Sequence, residues 1–345
     1  MERFEDLFED CTNMGRKIKT SEYLESGQYA IVDQGQKDIA GYTDETDGVY
    51  EDVPALVFGD HTRIIKYIDI PFFLGADGVK LLKCKREDAN YRYLYYALKN
   101  VKIPDTGYNR HFKWLKEIKI MYPDAIQQQR IVDVLDRIEN IIESRRHQVE
   151  ELDILIKSRF VEMFGDPATN PMKWLETRVG TECYYIKDGP HKSLPDIGRE
   201  NGGHPFISVR NIVNHMIDFS TAKYISDEDY SEARKKCFPE KGDILYSKGG
   251  TTGIAKLIDV DVEFANWVHL AVLKFDREVL NGVFFENMLN CDYCYAQSQK
   301  LTKGVANRDL VLSAMAQIKM FRPPINLQEQ FAIFVEQVDK SKFVE

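Results

Sequence analysis

The side chains best suited to touch a polyanion or the edge of a base fall into two series of polar, turn-rich segments. The first series holds Lys37, the run His61, Thr62, Arg63, and then Tyr108, Asn109, Arg110 with Lys113. The second holds His191 and Lys192, Ser208 to Asn211 with Arg210 between them, Lys248 with Thr251 and Thr252, and Lys303 with Asn307 and Arg308. Arg and Lys place donors on guanine edges and phosphates, and Asn pairs with adenine, so these residue types suit direct readout of DNA. Any one of them alone is an ordinary solvated loop residue. Their recurrence at matched places marks them as candidates.

Other chemistries fit poorly. Asn170-Pro171-Met172-Lys173 begins like an amino-methyltransferase motif but lacks the second proline and the aromatic, and Arg322-Pro323-Pro324-Ile325 has the prolines without the rest. No glycine-rich dinucleotide turn or Gly-Lys-Ser/Thr phosphate loop occurs, and Gly249 to Gly253 reads as a flexible turn. Pro104-Asp105 with Glu117-Ile118-Lys119 matches the loose pattern of metal-dependent nucleases, whose carboxylates hold Mg²⁺. The second copy of that stretch lacks the Glu, which argues against it. Cys291 and Cys294 have zinc-ligand spacing, but one pair cannot fill a tetrahedral site, and packing is the simpler role. Neither a cofactor nor a metal is expected.

These loops need a scaffold. At 345 residues and about 150 per domain, the chain suggests two domains. Hydrophobic residues at 43% and charged residues at 29% predict a packed globular core. The acidic N-terminus carries no signal-like apolar stretch and no apolar run would span a bilayer, so a cytoplasmic protein with no membrane contact is expected. The six cysteines are then expected to stay reduced. The net charge of −9 hides an asymmetry: residues 1–59 carry 5 Lys/Arg against 14 Asp/Glu, and residues 60–120 carry 13 against 7. The basic segment interleaves Tyr91, Tyr93, Tyr95, Tyr96, Tyr108, Phe112 and Trp114, which suits either an anion-binding face or a helix with a buried aromatic side.

The architecture comes from a weak internal repeat. Leu56-Val57-Phe58 followed by Ile65-Lys66-Tyr67-Ile68-Asp69 resembles Ile244-Leu245-Tyr246 followed by Ala255-Lys256-Leu257-Ile258-Asp259. Asn109-Arg110, Ile118-Lys119-Ile120 and Gln127-Gln128-Gln129 correspond to Asn307-Arg308, Ile318-Lys319-Met320 and Gln328-Glu329-Gln330. Asp124 before Gln127, and Asn326 before Glu329, have the capping-box spacing that starts a helix. From Ile131 apolar residues recur at three- and four-residue steps to Met163, with one break at Arg145, which predicts an amphipathic helix over 126–163 about 57 Å long. A second helix starts at Leu327 and stays in phase through Phe331 and Val335. The expected strands include 55–58, 79–82, 244–246 and 269–275, and the expected helices include 90–100 and 282–301. The fold class is therefore mixed α/β: duplicated domains at 1–125 and 166–326, each followed by a helix, at 126–165 and 327–345. Ile131, Leu135, Ile138, Ile142 and Leu152 on the first helix, with Phe331 and Val335 on the second, are the expected partner-binding positions.

The plan resembles the specificity subunit of type I restriction–modification enzymes. The strongest match runs from Ile126-Gln127-Gln128-Gln129-Arg130-Ile131-Val132 to Lys157-Ser158-Arg159-Phe160 and Gly165-Asp166-Pro167, with a second at Leu327-Gln328-Glu329-Gln330-Phe331 to Asp339-Lys340-Ser341-Lys342-Phe343. Asp188-Gly189-Pro190-His191, Pro205-Phe206-Ile207 and Gly242-Asp243-Ile244-Leu245 match more weakly. The resemblance implies two target-recognition domains, each reading one half of a bipartite double-stranded DNA site. It implies antiparallel spacer helices acting as a ruler, and no catalysis of its own. Methyltransferase subunits, and through them the restriction subunit, would be its partners. The rod is longer than one duplex turn of about 34–36 Å, consistent with separated contacts. The second spacer helix is shorter than the resemblance implies, so the coil is expected to be truncated. The stripe Ile131–Ile142 is then expected to self-associate or to be covered by a methyltransferase subunit. A coiled-coil adaptor without sequence readout is the first alternative, and a metal-dependent nuclease the second.

Overall fold

The computed structural model describes residues 1–75, 77–104, 106–107, 109–212, 216–304 and 307–342. It divides into two compact units, 1–144 and 145–345.

The first unit opens with β1 (Glu2–Arg3), α1 (Phe4–Leu7) and β2 (Phe8–Asp10). There follow β3 (Tyr29–Val32), β4 (Gly41–Thr43), β5 (Ala55–Gly59), β6 (Ile65–Ile68), β7 (Phe72–Leu74) and β8 (Val79–Cys84). Helices α2 (Tyr91–Lys99) and α3 (Phe112–Lys116), strand β9 (Lys119–Ile120) and the long helix α4 (Ala125–Phe164) complete the series. After α4 come β10 (Leu175–Arg178), α5 (Val179–Glu182), β11 (Cys183–Asp188), β12 (His204–Ile207), β13 (Lys223–Ile225) and α6 (Asp227–Lys236). Then follow β14 (Ile244–Ser247), β15 (Ala255–Leu257), β16 (Ala265–Asn266), β17 (Leu270–Phe275), α7 (Gly282–Asn290) and α8 (Asp292–Leu301). The chain continues through α9 (Leu312–Met315), β18 (Lys319–Arg322) and α10 (Ile325–Lys342).

The sheets repeat strand for strand. The first unit has sheets of order β2-β8-β5-β6, β4-β3-β7 and β1-β9, and the second has β11-β17-β14-β15, β13-β12-β16 and β10-β18. Even the sense is kept, since β3 runs parallel to β7 and β12 parallel to β16. Strand alternation divides the central strands between two layers. Leu56, Phe58 and Leu82 pack with Leu94, Leu98, Phe112 and Val132, whereas Ala55, Val57 and Leu81 face Val32, Phe72 and Leu74. In the second unit Ile244, Tyr246 and Leu273 pack with Phe284, Met288 and Phe331, and Leu245 and Val272 face Ile207 and Phe264.

The two spacer helices begin with the same buried side chain. Gln128 and Gln328 are both fully buried. Gln128 Nε2 donates to the Pro123 carbonyl at 2.9 Å, and its Oε1 accepts the Asn90 N–H at 3.0 Å. Gln328 Nε2 donates to the Pro323 carbonyl at 2.7 Å, and its Oε1 accepts the Asn281 N–H at 2.9 Å. Asn90 and Asn281 themselves cap α2 and α7. Each glutamine thus ties one helix start to another and satisfies buried polar groups.

Three expectations need correction. The repeat is in register at Gln128 and Gln328, not at Gln127. Asp124 does cap α4, accepting the Gln127 N–H at 2.9 Å, but α10 starts at Ile325 and Asn326 lies inside it; the Pro324 carbonyl takes the Leu327 N–H at 3.1 Å instead. The helix expected over 282–301 is two, because Cys291 is extended (ψ 154°) between α7 and α8. Gly165 ends α4 with φ +80°, a conformation only glycine adopts readily.

Candidate nucleic-acid interface

The turns that follow β5 and β14 are held by one pattern of backbone bonds in both units. In the first, the Asp60 N–H donates to the Gly78 carbonyl at 2.7 Å, and the Asp60 carbonyl accepts the His111 N–H at 2.8 Å. In the second, the Lys248 N–H donates to the His269 carbonyl at 2.8 Å, and the Lys248 carbonyl accepts the Leu310 N–H at 2.7 Å. Each pattern gathers three loops: the turn between two strands, the loop before the last sheet strand, and the loop before a short helix. Fixed backbone of this kind presents side chains at low entropic cost.

In the first unit the gathered side chains are His61, Thr62, Arg63, Asn109, Arg110 and Lys113. The Gln34 side chain joins a fourth loop to them: its Oε1 accepts the His61 N–H at 3.2 Å, and its Nε2 donates to the Asp77 carbonyl at 3.1 Å. The Thr62 hydroxyl donates to the Gln34 carbonyl at 2.6 Å, and His61 Nδ1 lies 3.2 Å from the Asn109 carbonyl oxygen. The Asp60 carboxylate, buried, accepts the Phe112 N–H at 2.7 Å and sets the start of α3. Arg63 takes φ +63° and closes the turn onto the Gly59 carbonyl at 2.7 Å. Lys37, Thr62, Asn109, Arg110 and Lys113 are exposed, and His61 and Arg63 are half-buried. Tyr108 lies outside the described residues.

In the second unit charge does the gathering. Lys248 Nζ sits 2.9 Å from Asp309 and 3.5 Å from Asp188, whose other oxygen is 3.0 Å from Lys236 Nζ. The segments starting at 188, 248 and 303 are thereby brought together, and the Gly250 N–H adds a 3.1 Å bond to the Arg308 carbonyl. His191, Lys192, Arg210, Thr251, Lys303, Asn307 and Arg308 are exposed, and Ser208 is half-buried. Arg210 donates to the Thr221 carbonyl at 2.9 Å, and Arg308 donates to the Gln299 side chain.

Three expected contact residues are instead structural. Lys248 is 6% exposed, Thr252 1% and Asn211 1%. The Lys248 charge is spent on two carboxylates. The Thr252 hydroxyl lies 3.0 Å from that of Thr302, and the Thr252 carbonyl accepts Gln299 Nε2 at 2.8 Å. Asn211 Oδ1 accepts the Ser208 N–H at 2.8 Å, and its Nδ2 donates to the Asp218 carbonyl at 3.0 Å. Buried polar groups must be paired, so polarity alone could not separate these three from true surface residues. Sequence reasoning also missed Gln34, Asp60 and Asp188, which position the loops, and the Trp267–His269 pair (ring centroids 4.6 Å apart) beside the second set. A turn residue next to glycine, as at Gly59-Asp60 and Asp188-Gly189, was the available signal.

The expected partner-binding positions divide in the same way. Phe331 and Val335 are buried within their own unit: Phe331 stacks edge-on against Phe160 and Phe164 at 5.4 and 5.5 Å, and Leu152 is half-buried beside them. They are core, because α10 packs against the second half of α4. Ile131, Ile138 and Ile142 are 39, 46 and 45% exposed, and Leu135 is half-buried. On that first half of α4, Arg92 pairs with Asp136 at 2.8 Å and Glu139 at 3.0 Å, and the Tyr96 hydroxyl donates to both. Burial raises the Asp136 carboxyl, but Tyr96 and Arg92 outweigh it and leave it below its ordinary value. Among the described residues no group of three His, Cys, Asp or Glu side chains could hold a metal ion, and no helix is long and apolar enough to cross a membrane.

The family described as type I restriction modification DNA specificity domain matches residues 1–153 and 189–343. The chain belongs to that family. It is 26% identical over 268 residues to the type I restriction enzyme MjaIX specificity subunit of Methanocaldococcus jannaschii, covering 71% of this chain and 61% of that one. It is 25% identical over 238 residues to the EcoR124I/EcoR124II specificity subunit of Escherichia coli, covering 64% and 57%. The chain thus spans about three-fifths of the length of these relatives. The crystal structure of a type I restriction-modification S subunit from M. genitalium shares the fold, with a TM-score of 0.56 and 16% identity over 99% of this chain and 89% of that one.

Proposed function

We propose that this protein is the DNA sequence-specificity subunit of a type I restriction–modification complex and catalyses nothing itself. The carrying observation is the backbone pattern at Asp60 and Lys248, which holds basic and polar loops at the same place on two copies of one fold. Each loop set reads one half of a bipartite site in double-stranded DNA. Arg110 and Arg63 are the leading contacts in the first set, and Arg308 and Arg210 in the second. The bulk charge of −9 fits a subunit whose partners share the phosphate contacts. Those partners are methyltransferase subunits and, through them, the restriction subunit, in the cytoplasm. The bare stripe Ile131–Ile142 is where a partner helix, from a methyltransferase subunit or a second copy, completes the coil.

Co-expression with a neighbouring methyltransferase gene and mapping of the methylated bases tests this reading. Replacing 1–125 with the first domain of another specificity subunit should change one half of the methylated site and leave the other half intact. Partner binding without sequence discrimination would favour a coiled-coil adaptor. Methyl transfer from a labelled donor by the purified chain alone would overturn the non-catalytic assignment.

A further inference from the structure

Cys291 and Cys294 bracket the start of α8, and the far end of that helix holds the second loop set. Cys291 is the extended residue before α8 and is half-buried; Cys294, one turn in, is fully buried and lies 3.5 Å from the Lys319 carbonyl oxygen, to which its thiol donates. The neighbouring Cys294 side chain holds the Cys291 thiol below its ordinary value against the effect of burial, while Cys291 and burial push Cys294 well up. A Cys-x-x-Cys pair at a helix N-terminus, with its first residue half-buried and its second one turn into the helix, is the arrangement in which dithiols oxidise readily.

The other end of α8 carries Ser298 and Gln299. Gln299 Nε2 donates to the Thr252 carbonyl at 2.8 Å, and its Oε1 accepts from Arg308. Gly253, at φ +91°, lies so close to α8 that an added Cβ would stand 2.2 Å from Ser298 Oγ. The turn 248–253 therefore rests directly on this helix. A shift of α8 by a few tenths of an ångström must be transmitted to it, because close-packed contacts do not absorb displacement.

We propose that Cys291 and Cys294 are a reversible redox-modification site: peroxide converts them to a disulfide, and the re-seated α8 loosens the 248–253 turn and the Arg308 contact. The consequence for DNA rests on the function proposed above; the chemistry does not. The Cys291 thiolate attacks one oxygen of hydrogen peroxide, the O–O bond breaks, and hydroxide leaves, giving a sulfenic acid. The Cys294 sulfur then attacks the Cys291 sulfur and displaces a second hydroxide. The protons of the two thiols convert both hydroxides to water, so two thiols lose two electrons and one peroxide gains them. Closing the bond draws the sulfurs to about 2.05 Å and removes the thiol hydrogen that Cys294 donates to Lys319.

The test uses the full chain, exposed to hydrogen peroxide, quenched with catalase, and labelled with iodoacetamide after denaturation. Labelled thiols should fall from six to four, peptide mapping should place the disulfide at 291 and 294, and dithiothreitol should restore all six. Amide exchange in 248–253 should quicken roughly threefold on oxidation and recover on reduction. Cys291→Ala should abolish both changes; the wild-type chain cycled through dithiothreitol gives the same comparison should that variant fold poorly. Six thiols after peroxide, or a disulfide elsewhere, would overturn the site. A 291–294 disulfide with unchanged exchange would overturn the coupling. In the complex with its methyltransferase, oxidation should weaken DNA binding. A reduced complex that binds no DNA would count against the proposed function, with the thiol and exchange results standing apart.

Discussion

Counted from the buried glutamine that starts each helix, Phe331, Val335 and Val338 of α10 occupy the positions that Ile131, Leu135 and Ile138 occupy on α4. The residue types are alike, yet the first three are 0, 7 and 6% exposed, while Ile131 and Ile138 are 39 and 46% exposed. The difference lies in the neighbour. On α10 the stripe meets Ile156, Phe160 and Phe164, with Lys342 closing the end on Asp153 at 2.7 Å. On the first half of α4 the charged and aromatic side chains of α2 hold one flank, and the stripe itself stays open. An apolar stripe at three- and four-residue spacing specifies that something will cover it, not what.

The largest expected contrast is between Phe331→Ala and Ile131→Ala in the isolated chain. The first removes a ring packed against two others and should cost about 3–5 kcal/mol; the second should stay within about 0.5 kcal/mol. Urea unfolding monitored separately for the two units gives both values, and equal costs would break the comparison.

The glutamines should behave alike where the stripes differ. Gln128→Ala and Gln328→Ala each strand a helix-capping asparagine's N–H and should each lose about 1–3 kcal/mol. A marked inequality by the same unfolding measurement would mean that the two helix starts are not energetic equivalents. Recognition should divide by unit: Arg110→Ala and Arg308→Ala are each expected to cost about 1–3 kcal/mol of binding if they contact guanine, each relaxing a position in a different half-site. Methylation-site mapping with the assembled complex reads this out, and relaxation of both halves by one variant would contradict separate reading.

Smaller still is the effect of Ile138→Ser with Ile142→Ser on the chain alone, within about 0.5 kcal/mol for each. The same pair should nonetheless reduce self-association or methyltransferase binding in sedimentation; unchanged assembly would remove the stripe as a docking face. Acid should act last and locally. The Asp136 and Glu139 carboxyls are both held below their ordinary values in the fold, against burial, with Tyr96 and Arg92 beside the first and Lys99 and Tyr96 beside the second. Their stabilisation is complete above the ordinary carboxylate range and is lost as pH falls through the lowered values. Exchange of α2 amides should therefore rise below that range, and Asp136→Asn should flatten the response.

Much of this was legible in order along the chain. The strands at 55–58 and 244–246 and the long helix between the copies follow from local periodicity and backbone restriction, which nearest neighbours in sequence decide. The two series of polar loops were legible as candidates for the same reason: polar turn residues declare their own exposure in most cases. Lys248, Thr252 and Asn211 are where that inference failed. A lysine is solvated by default, and only two carboxylates from distant segments on either side of it in the chain, Asp188 and Asp309, offset its burial.

What the sequence by itself determined is the duplicated mixed α/β plan, the helix between the copies and the kind of polar side chain carried on the candidate contact loops. The tertiary structure alone decided which of those side chains are surface and which are struts. It set the repeat in register at Gln128 and Gln328, and it chose which apolar stripe is core. The physical reason is common to all three. Periodicity and residue type are properties of neighbours in the chain, whereas burial, ion pairing and register depend on partners supplied by distant segments, and the free energy of a polar or apolar group is set by that partner more than by the group itself.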